Sequence, residues 1–349
     1  MAREKNGLRK GVIFVFFAIT AVVLACFFVL VSLVDFKVPE ENLSLPSDSI
    51  GIIVGFSQIG AESSWRKHNT LSIREAAQEK GIQLLFENAE QKQENQIKAI
   101  RSFIAYQVDV IAFVPIVAEG WDNVLRESAE AGIPILITDR KIKTDDESLF
   151  AGFIGTDSLE EGRNAGRFII RKFSQEYTPP RYRNRSLRIF ELSGTEGASV
   201  TSGRAQGFRD VLNKDNRFSI VYSESGDFLR SKGYEIAQNI LDNYDTIDVV
   251  FSHNDSMTLG FIDAMKERGM SPGVDIVIVS IDAEQAAIDA LRAGEINCVV
   301  ECNPKTGPAI MNLAIQLAEG KAIPRLLHVE ERVFSEDDTD LETVAPRGY

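Results

Sequence analysis

The sequence predicts an α/β protein of two similar lobes, each a parallel sheet with helices on both faces. Three observations support this fold class. Apolar segments of strand length alternate with segments of helix length from residue 49 to the end, the order that produces parallel sheets. The alternation forms two runs, joined near Thr156 and Asp157. Polar residues collect directly after the strands, at the edge where open parallel sheets bind ligands.

The first run begins with residues 50–54, a continuously apolar segment typical of a buried strand. Residues 55–66 are the predicted loop, and apolar residues then recur at helical spacing until Gly81. The same patterns continue along this run. They predict strands at 82–86, 108–114, 133–138 and 150–154, and helices at 91–106, 121–131 and 162–173.

The second run follows residues 176–186, a polar and basic segment that we predict to be a surface insertion. Glycines end two of its helices and Pro304 opens its last one. A second lobe of similar build is therefore expected, with a cleft between the lobes. The patterns predict strands at 187–192, 218–222, 247–251, 275–281, 296–301 and 326–333, and helices through Phe208 and Leu212 and at 231–241, 256–268, 284–293 and 304–318.

Four basic residues precede an uncharged stretch at residues 12–34, which is about as long as the ~20 residues of a membrane span. No good Ala-x-Ala cleavage site follows, so we predict an uncleaved transmembrane anchor with residues 1–11 cytoplasmic. A cleaved signal segment is the alternative. Residues 35–48 are predicted to be a linker. Either way, we expect the lobes on the periplasmic or extracytoplasmic side of the inner membrane.

Composition and motifs exclude several functions. The net charge of −13 argues against nucleic acid, because a phosphate-binding face needs an excess of Lys and Arg. No disulfide framework or metal-ligand spacing involves the three cysteines, Cys26, Cys298 and Cys302. The sequence also lacks a nucleophile elbow, a Walker loop and a zinc-protease motif. We therefore predict no enzyme, no catalytic residues, no cofactor and no metal.

Charged and aromatic side chains recur after the predicted strands, where they would rim one crevice. A sugar needs this mixture, because carboxylates accept from its hydroxyls, Arg and Asn donate to them, and aromatic rings pack on its C–H faces. The candidate binding residues are Ser57, Glu62, Trp65, Arg66, Asp139, Arg140, Arg204, Phe228, Asn254, Asp282 and Glu301.

Each candidate also has a structural alternative. Asp139 and Arg140 could form a surface ion pair, and Asn254 could cap the following helix. Phe228 could belong to the core. A glycosidase-like pair of carboxylates is the enzymatic alternative, although neighbouring arginines favour ionised, hydrogen-bonding carboxylates. Because six loops end at the same sheet edge, we favour a binding site.

These loops resemble the type I periplasmic sugar-binding proteins of ABC importers, in the ribose- and galactose-binding branch. The resemblance extends from Ile50 to the end of the chain. Phe56-Ser57-Gln58-Ile59-Gly60, Trp65-Arg66 and Gln91-Lys92-Gln93-Glu94-Asn95-Gln96 are similar to the galactofuranose-binding group of that branch. The other segments that carry the resemblance are 133–140, 191–204, 226–233, 253–260, 280–282 and 301–304.

The resemblance implies the periplasmic binding protein-like I fold and a role for each matching residue. Trp65 and Phe228 would sandwich the sugar ring, and Glu301 would sit at the hinge side. The remaining contacts would come from Arg66, Asp139 and Arg140 in the first lobe and from Arg204, Asn254 and Asp282 in the second. Crossings near Thr156, Cys302 and Pro324 would divide the chain into lobes of residues 49–155 plus 302–324 and 156–301 plus 325–349.

The function implied is capture of a monosaccharide, galactofuranose or a related aldose, by a monomer that delivers it to an ABC permease in the inner membrane. Hinge closure would trap the ligand without chemistry. A membrane-tethered sugar sensor that signals to a chemoreceptor or histidine kinase is the alternative. One departure from the family pattern is that Ala283 follows Asp282, where relatives commonly have glycine.

Overall fold

The computed structural model describes residues 51–60, 63–174, 182 and 185–349. The predicted cytoplasmic segment, anchor and linker (residues 1–48) lie outside the described residues, as do Glu62 and most of the 176–186 segment. Across the part that is described, we find no helix with the length and apolar character needed to cross a membrane.

The first lobe is built on a six-stranded parallel sheet with the order β11-β5-β4-β3-β1-β2. Its central strands are buried throughout, as their continuously apolar sequence predicts. Its strands are β1 (Ile53–Gln58), β2 (Gln83–Asn88), β3 (Val110–Phe113), β4 (Ile135–Thr138), β5 (Gly152–Gly155) and β11 (Leu326–His328).

The second lobe has a sheet of the same size with the order β12-β10-β9-β8-β6-β7. Its strands are parallel except β12, which pairs antiparallel with β10. The strands are β6 (Leu187–Ser193), β7 (Phe218–Ser225), β8 (Val249–Ser252), β9 (Val277–Asp282), β10 (Cys298–Glu301) and β12 (Val333–Ser335).

Helices cover the sheets, and some approach each other closely. A Cβ on Gly207 would lie 1.9 Å from the carbonyl oxygen of Leu159, so glycine lets two helices of the second lobe pack backbone to backbone. The described α-helices are Ser64–Glu79, Gln93–Ala105, Asp122–Glu130, Ser158–Lys172, Ser199–Leu212, Arg230–Asn243, Asp255–Glu267, Gln285–Arg292 and Gly307–Ala318, with 3₁₀ turns at Glu147–Leu149 and Leu341–Thr343.

The prediction of a single strand at residues 326–333 is wrong. Strand β11 pairs with β5 in the first sheet, whereas β12 pairs with β10 in the second. The chain therefore passes between the lobes at residues 329–332, and the boundary predicted between residues 324 and 325 is displaced to this segment. The charged Glu330-Glu331-Arg332 sequence between the two strands marks the break.

The predicted loop at residues 55–66 is shorter than expected. Strand β1 continues to Gln58, and the first helix begins at Ser64. Ser63 caps this helix, because its Oγ accepts a hydrogen bond from the backbone N–H of Arg66. Trp65 and Arg66 consequently lie in the first helical turn, where the helix holds their side chains in fixed directions.

The two lobes meet across the cleft through backbone and side-chain hydrogen bonds. The N–H of Ala118 donates to the carbonyl oxygen of Gly197 over 2.9 Å. The N–H of Lys141 donates to Ser199 Oγ over 2.7 Å. These contacts join loops at the carboxyl ends of both sheets, so the described chain has its lobes closed on each other.

Candidate functional site

A polar cavity lies between the lobes, at the carboxyl ends of both sheets. Both lobes and the second chain crossing contribute to it, so one chain supplies the whole wall. Eleven residues line it: Ser63, Trp65, Arg66, Asp139, Arg140, Val200, Arg204, Phe228, Asn254, Asp282 and Cys302. Eight of these are among the candidates that the sequence suggested.

Three candidates are not among the lining residues. Ser57 is buried inside strand β1, and in the described part of the chain its Oγ has no hydrogen-bond partner. Glu301 instead accepts hydrogen bonds from the backbone N–H of Arg332 over 2.9 Å and from the Arg347 side chain. The carboxylate of Glu301 is therefore hydrogen-bonded to the C-terminal segment. Glu62 lies outside the described residues.

Arg66 and Asp139 form the charged pair of the first lobe. Arg66 Nη2 donates to Asp139 Oδ2 over 2.6 Å, and the side chains are only 3% and 11% exposed. Arg66 Nη1 also donates to Asn69 Oδ1 over 3.3 Å. Asp139 therefore forms a buried pair with Arg66, in place of the surface pair with Arg140 that was its structural alternative. A fixed carboxylate beside a fixed guanidinium can accept from one hydroxyl and donate to another.

Arg204 is the buried cation of the second lobe. Its Nε donates to Glu161 Oε2 over 2.6 Å, and its Nη1 donates to the carbonyl oxygen of His253 over 2.6 Å. Its Nη2 lies 3.8 Å from Asp282 Oδ1. The guanidinium therefore stands between a carboxylate outside the cavity and one in its wall. Burial raises the pKa of Asp282, although the charge of Arg204 opposes this.

Phe228 reaches the cavity from the loop after β7, and two arginines approach its ring. The guanidinium carbons of Arg140 and Arg204 lie 5.3 and 5.9 Å from the ring centroid. Gly194 makes room for this ring, because a Cβ there would lie 1.9 Å from Phe228 Cζ. Phe228 thus lies in the cavity wall, although it also packs against the core of the second lobe.

Several cavity residues have unusual backbone geometry. Asp139, Phe228 and Asp282 have φ values of +63°, +62° and +132°, which residues other than glycine rarely adopt. Ala283 also has a positive φ of +63°, so the alanine at this position keeps the left-handed conformation that glycine would favour. Backbone strain from positive φ values concentrates at ligand-binding sites, where it holds side chains in the direction of the ligand.

Asn254 is both a helix cap and a cavity residue. Its Oδ1 accepts from the backbone N–H of Met257 over 3.0 Å at the start of helix Asp255–Glu267. Its Nδ2 donates to the carbonyl oxygen of Phe228 over 3.1 Å. The cap therefore fixes the amide, and the second Nδ2 hydrogen can serve a ligand.

Trp65 connects the first lobe to the second lobe and to a chain crossing. Its backbone N–H donates to Glu284 Oε1 of the second lobe over 2.7 Å, and its indole Nε1 donates to the carbonyl oxygen of Cys302 over 2.5 Å. Burial raises the pKa of Glu284. The guanidinium carbon of Arg66 lies 4.6 Å from the Trp65 ring centroid. The ring position therefore depends on closure of the lobes.

Sequence reasoning missed three cavity residues. Ser63 carried a signal, because a Ser just before a helix is a cap candidate. Val200 and Cys302 carried none, since an apolar residue and a cysteine do not suggest sugar contacts. Val200 gives the second lobe a small apolar surface in an otherwise charged wall.

Comparison with known proteins gives a consistent result. A family model described as a periplasmic binding protein domain matches residues 54–322. The galactofuranose-binding protein YtfQ of Escherichia coli K12 is 37% identical over 304 residues, 85% of this chain and 93% of that protein. The fructose import binding protein FruE of Bifidobacterium longum is 28% identical over 301 residues, 84% of this chain and 88% of that protein.

Solved structures agree with the fold. A Mycobacterium smegmatis structure in complex with β-D-fucofuranose is 41% identical, with a TM-score of 0.79 over 84% of this chain and 93% of that chain. The arabinose ABC transporter binding protein of Shewanella sp. ANA-3, bound to α- and β-L-arabinofuranose, is 39% identical, with a TM-score of 0.77 over 83% and 93% of the two chains.

Proposed function

Because the chain belongs to the periplasmic binding protein family, we propose that it captures a monosaccharide in the furanose form between its lobes and delivers it to an ABC importer. The observation that carries this proposal is the composition of the cavity wall. Charged groups of the Arg66–Asp139 pair and of Arg204 and Asp282 share that wall with the rings of Trp65 and Phe228. The protein acts by binding and performs no reaction on the sugar.

The relatives support the sugar class and the ring form. Two of the solved structures contain furanose sugars, fucofuranose and arabinofuranose, and the E. coli relative is named for galactofuranose. These three are at least 37% identical to this chain. We therefore place the ligand among galactofuranose and related aldofuranoses, and Val200 offers an apolar contact to a C–H edge of such a ring.

The proposed mode of action is a hinge motion of the two lobes about the chain crossings. The lobes would open about the chain crossings, admit the sugar and close on it. Both halves of the cavity come from one chain, so a monomer suffices for binding. An ABC permease is the proposed membrane partner, because relatives such as FruE and the ribose-binding protein of Bacillus subtilis are named for sugar import. The same names favour transport over the sensor alternative.

We also propose that the protein works outside the cytoplasm and that residues 12–34 anchor it to the inner membrane. The basic residues before this uncharged stretch support that orientation. The full chain should then remain in the membrane pellet after carbonate extraction of expressing cells. Recovery of a shortened chain in the soluble periplasmic fraction would instead indicate cleavage.

Titration calorimetry of the purified full chain tests the ligand class. We expect stoichiometric binding of D-galactose, D-fucose or L-arabinose, whose solutions contain some furanose, and no binding of maltose, which exceeds a single-ring cavity. A co-crystal structure with the binding aldose reports the ring form selected. A pyranose in the cavity would refute the furanose assignment, and failure of all monosaccharides tried, with D-ribose and D-fructose included, would refute the sugar assignment.

A further inference from the structure

We propose that the chain crossings between the lobes form a binding site for one proton, which the carboxyl groups of Glu161 and Glu331 share. We further infer that closing the lobes on a ligand takes this proton up from solution. The inference rests on the proposed sugar-binding function for its ligand. It concerns residues outside the cavity wall, so the two can be tested separately.

The site combines one residue from each crossing. Glu161 lies in the first turn of helix Ser158–Lys172, directly after the first crossing. Cys302 follows β10 at the second crossing, and Glu331 lies between β11 and β12 at the third. One carboxylate oxygen of Glu161, one carboxylate oxygen of Glu331 and the Cys302 sulfur all lie within 4.8 Å of one another. Motion about the hinge must therefore change the surroundings of this cluster.

Two carboxylate oxygens in the cluster lack a donor. Among the described residues, no hydrogen-bond partner reaches the buried Oε1 atoms of Glu161 and Glu331. The other oxygen of Glu161 already accepts from Arg204 Nε over 2.6 Å. Glu161 is 1% exposed, so water cannot replace the missing donor easily. A proton on one carboxyl would give the other a donor and would remove one negative charge.

The charges around Glu331 favour this proton. Glu161 faces it from helix Ser158–Lys172, Asp282 from β9 and Arg204 from helix Ser199–Leu212. Within the described part of the chain, one cation thus faces three carboxyl groups, counting that of Glu331 itself. Burial and the charge of Glu161 raise the pKa of Glu331 to about 11, against the pull of Arg204.

Among the described residues, the other titratable groups nearby do not supply a second cation. Burial raises the pKa of the Cys302 thiol, which keeps it protonated and neutral. On the same crossing as Glu331, Arg332 pairs with Asp340 over 2.9 Å, and His328 Nδ1 lies 3.4 Å from Asp157. Both basic side chains are therefore directed to other carboxylates.

A divalent metal fits this cluster less well than a proton. Arg204 holds one oxygen of Glu161, and its charge would repel a dication at the same carboxylate. A metal would also need the Cys302 thiolate, which burial disfavours. A proton needs only the two carboxyl oxygens that lack donors.

The coupling to ligand binding has a defined sign. A solvated glutamic acid has a pKa of about 4.3 and gives up its proton at neutral pH. If opening the lobes solvates Glu331, the open state is deprotonated and the closed state protonated near neutrality. Closure then takes up one proton, so affinity falls as pH rises, by up to about tenfold per pH unit.

Calorimetry with L-arabinose and D-galactose, in phosphate and in Tris near neutral pH, measures this proton directly. The difference in observed enthalpy between buffers of different ionisation enthalpy gives the protons taken up per sugar bound. We expect about one proton for the wild-type chain. In Glu331→Gln the amide can donate to Glu161 as the protonated acid does, so binding should persist with about one proton fewer taken up.

Glu330→Gln is the matched control, because Glu330 is the exposed neighbour on the same crossing. It should keep the wild-type proton uptake. Sugar binding with equal proton uptake in wild type and Glu331→Gln would overturn the proton site while leaving the sugar assignment intact. Stoichiometric binding of Zn²⁺ or Ca²⁺ alone, lost in Glu331→Gln, would overturn it in favour of a metal site.

A sugar-independent measurement covers the case in which no sugar tried binds. Lowering the pH should shift the unliganded chain toward the protonated closed state, in which Glu331 has a raised pKa, so its thermal midpoint should fall from mildly acidic to alkaline pH. The thermal midpoint of Glu331→Gln should fall less over the same pH range, and that of Glu330→Gln should fall as in the wild type. Identical pH profiles for all three proteins would overturn the proposal.

Discussion

Replacement of Asp139 by alanine is expected to abolish detectable sugar binding. Asp139 is the carboxylate of the first-lobe pair, and its Oδ2 accepts from Arg66 Nη2 over 2.6 Å in the cavity wall. Hydrogen bonds to charged groups contribute about 1.5–3 kcal/mol each. A carboxylate has acceptor sites for two sugar hydroxyls, and loss of both bonds should weaken binding at least about 100-fold.

The variant also removes the Asp139 partner of the buried Arg66 guanidinium in a closed cavity. Removal of one partner from a buried ion pair costs about 3–5 kcal/mol, so some stability should be lost as well. Thermal unfolding separates the two effects, because a folded variant that fails to bind identifies a ligand contact. Calorimetry with the aldoses proposed above supplies the dissociation constant.

Two further variants make this result specific. Asp139→Asn keeps the shape and tolerates the positive φ of +63° better than alanine. It should bind more weakly than the wild type, because it loses the charge and one of the two acceptor oxygens. Asp145→Ala removes an exposed carboxylate of the same lobe and should bind normally. Wild-type affinity in Asp139→Ala would show that Asp139 is not a ligand contact.

The sequence predicted the architecture well because strand-end loops obey a topological rule. Carboxyl ends of parallel strands meet at one edge, so Asp139, Phe228 and Asp282 had to lie near each other if their strands were identified correctly. The strands were apolar enough to identify. Exact registers were not needed, since a shift of one or two residues leaves a loop at the same edge.

Other features depend on contacts that are distant in sequence. The sequence predicts Ser57 in a loop, because the polar residues Ser57 and Gln58 conceal the end of β1, which reaches Gln58. The sequence predicts a ligand contact for Glu301, because nothing in its own segment shows that Arg347 binds it. In the sequence Glu161 and Glu331 are indistinguishable from ordinary surface acids, because only the chain crossings bring them together.

The cavity and the hinge share one cation, which connects the two proposals physically. Arg204 contacts Glu161 on the hinge side and lies 3.8 Å from Asp282 on the cavity side. A proton shared by Glu161 and Glu331 would weaken the ion pair between Glu161 and Arg204. Arg204 could then interact more strongly with Asp282 and the ligand, which is the direction needed for proton uptake to favour binding.

Replacement of Trp65 by alanine is expected to weaken sugar binding by about 2–4 kcal/mol, roughly 30- to 1000-fold. The ring lines the cavity and is the aromatic surface that the first lobe offers. Its indole N–H also donates to the carbonyl oxygen of Cys302 over 2.5 Å, and its backbone N–H donates to Glu284 of the second lobe. Alanine removes the ring and the indole bond, whereas the backbone bond can persist.

Trp65→Phe separates the ring from its hydrogen bond. Phenylalanine keeps an aromatic face but cannot donate to Cys302, so its affinity should lie between those of wild type and Trp65→Ala. Intrinsic fluorescence gives an independent measurement, because the chain has two tryptophans, and Trp121 is fully buried away from the cavity. Sugar binding should change the emission of the wild type and of Trp121→Phe, but not that of Trp65→Phe. A sugar-induced change that persists in Trp65→Phe and disappears in Trp121→Phe would place the ligand elsewhere.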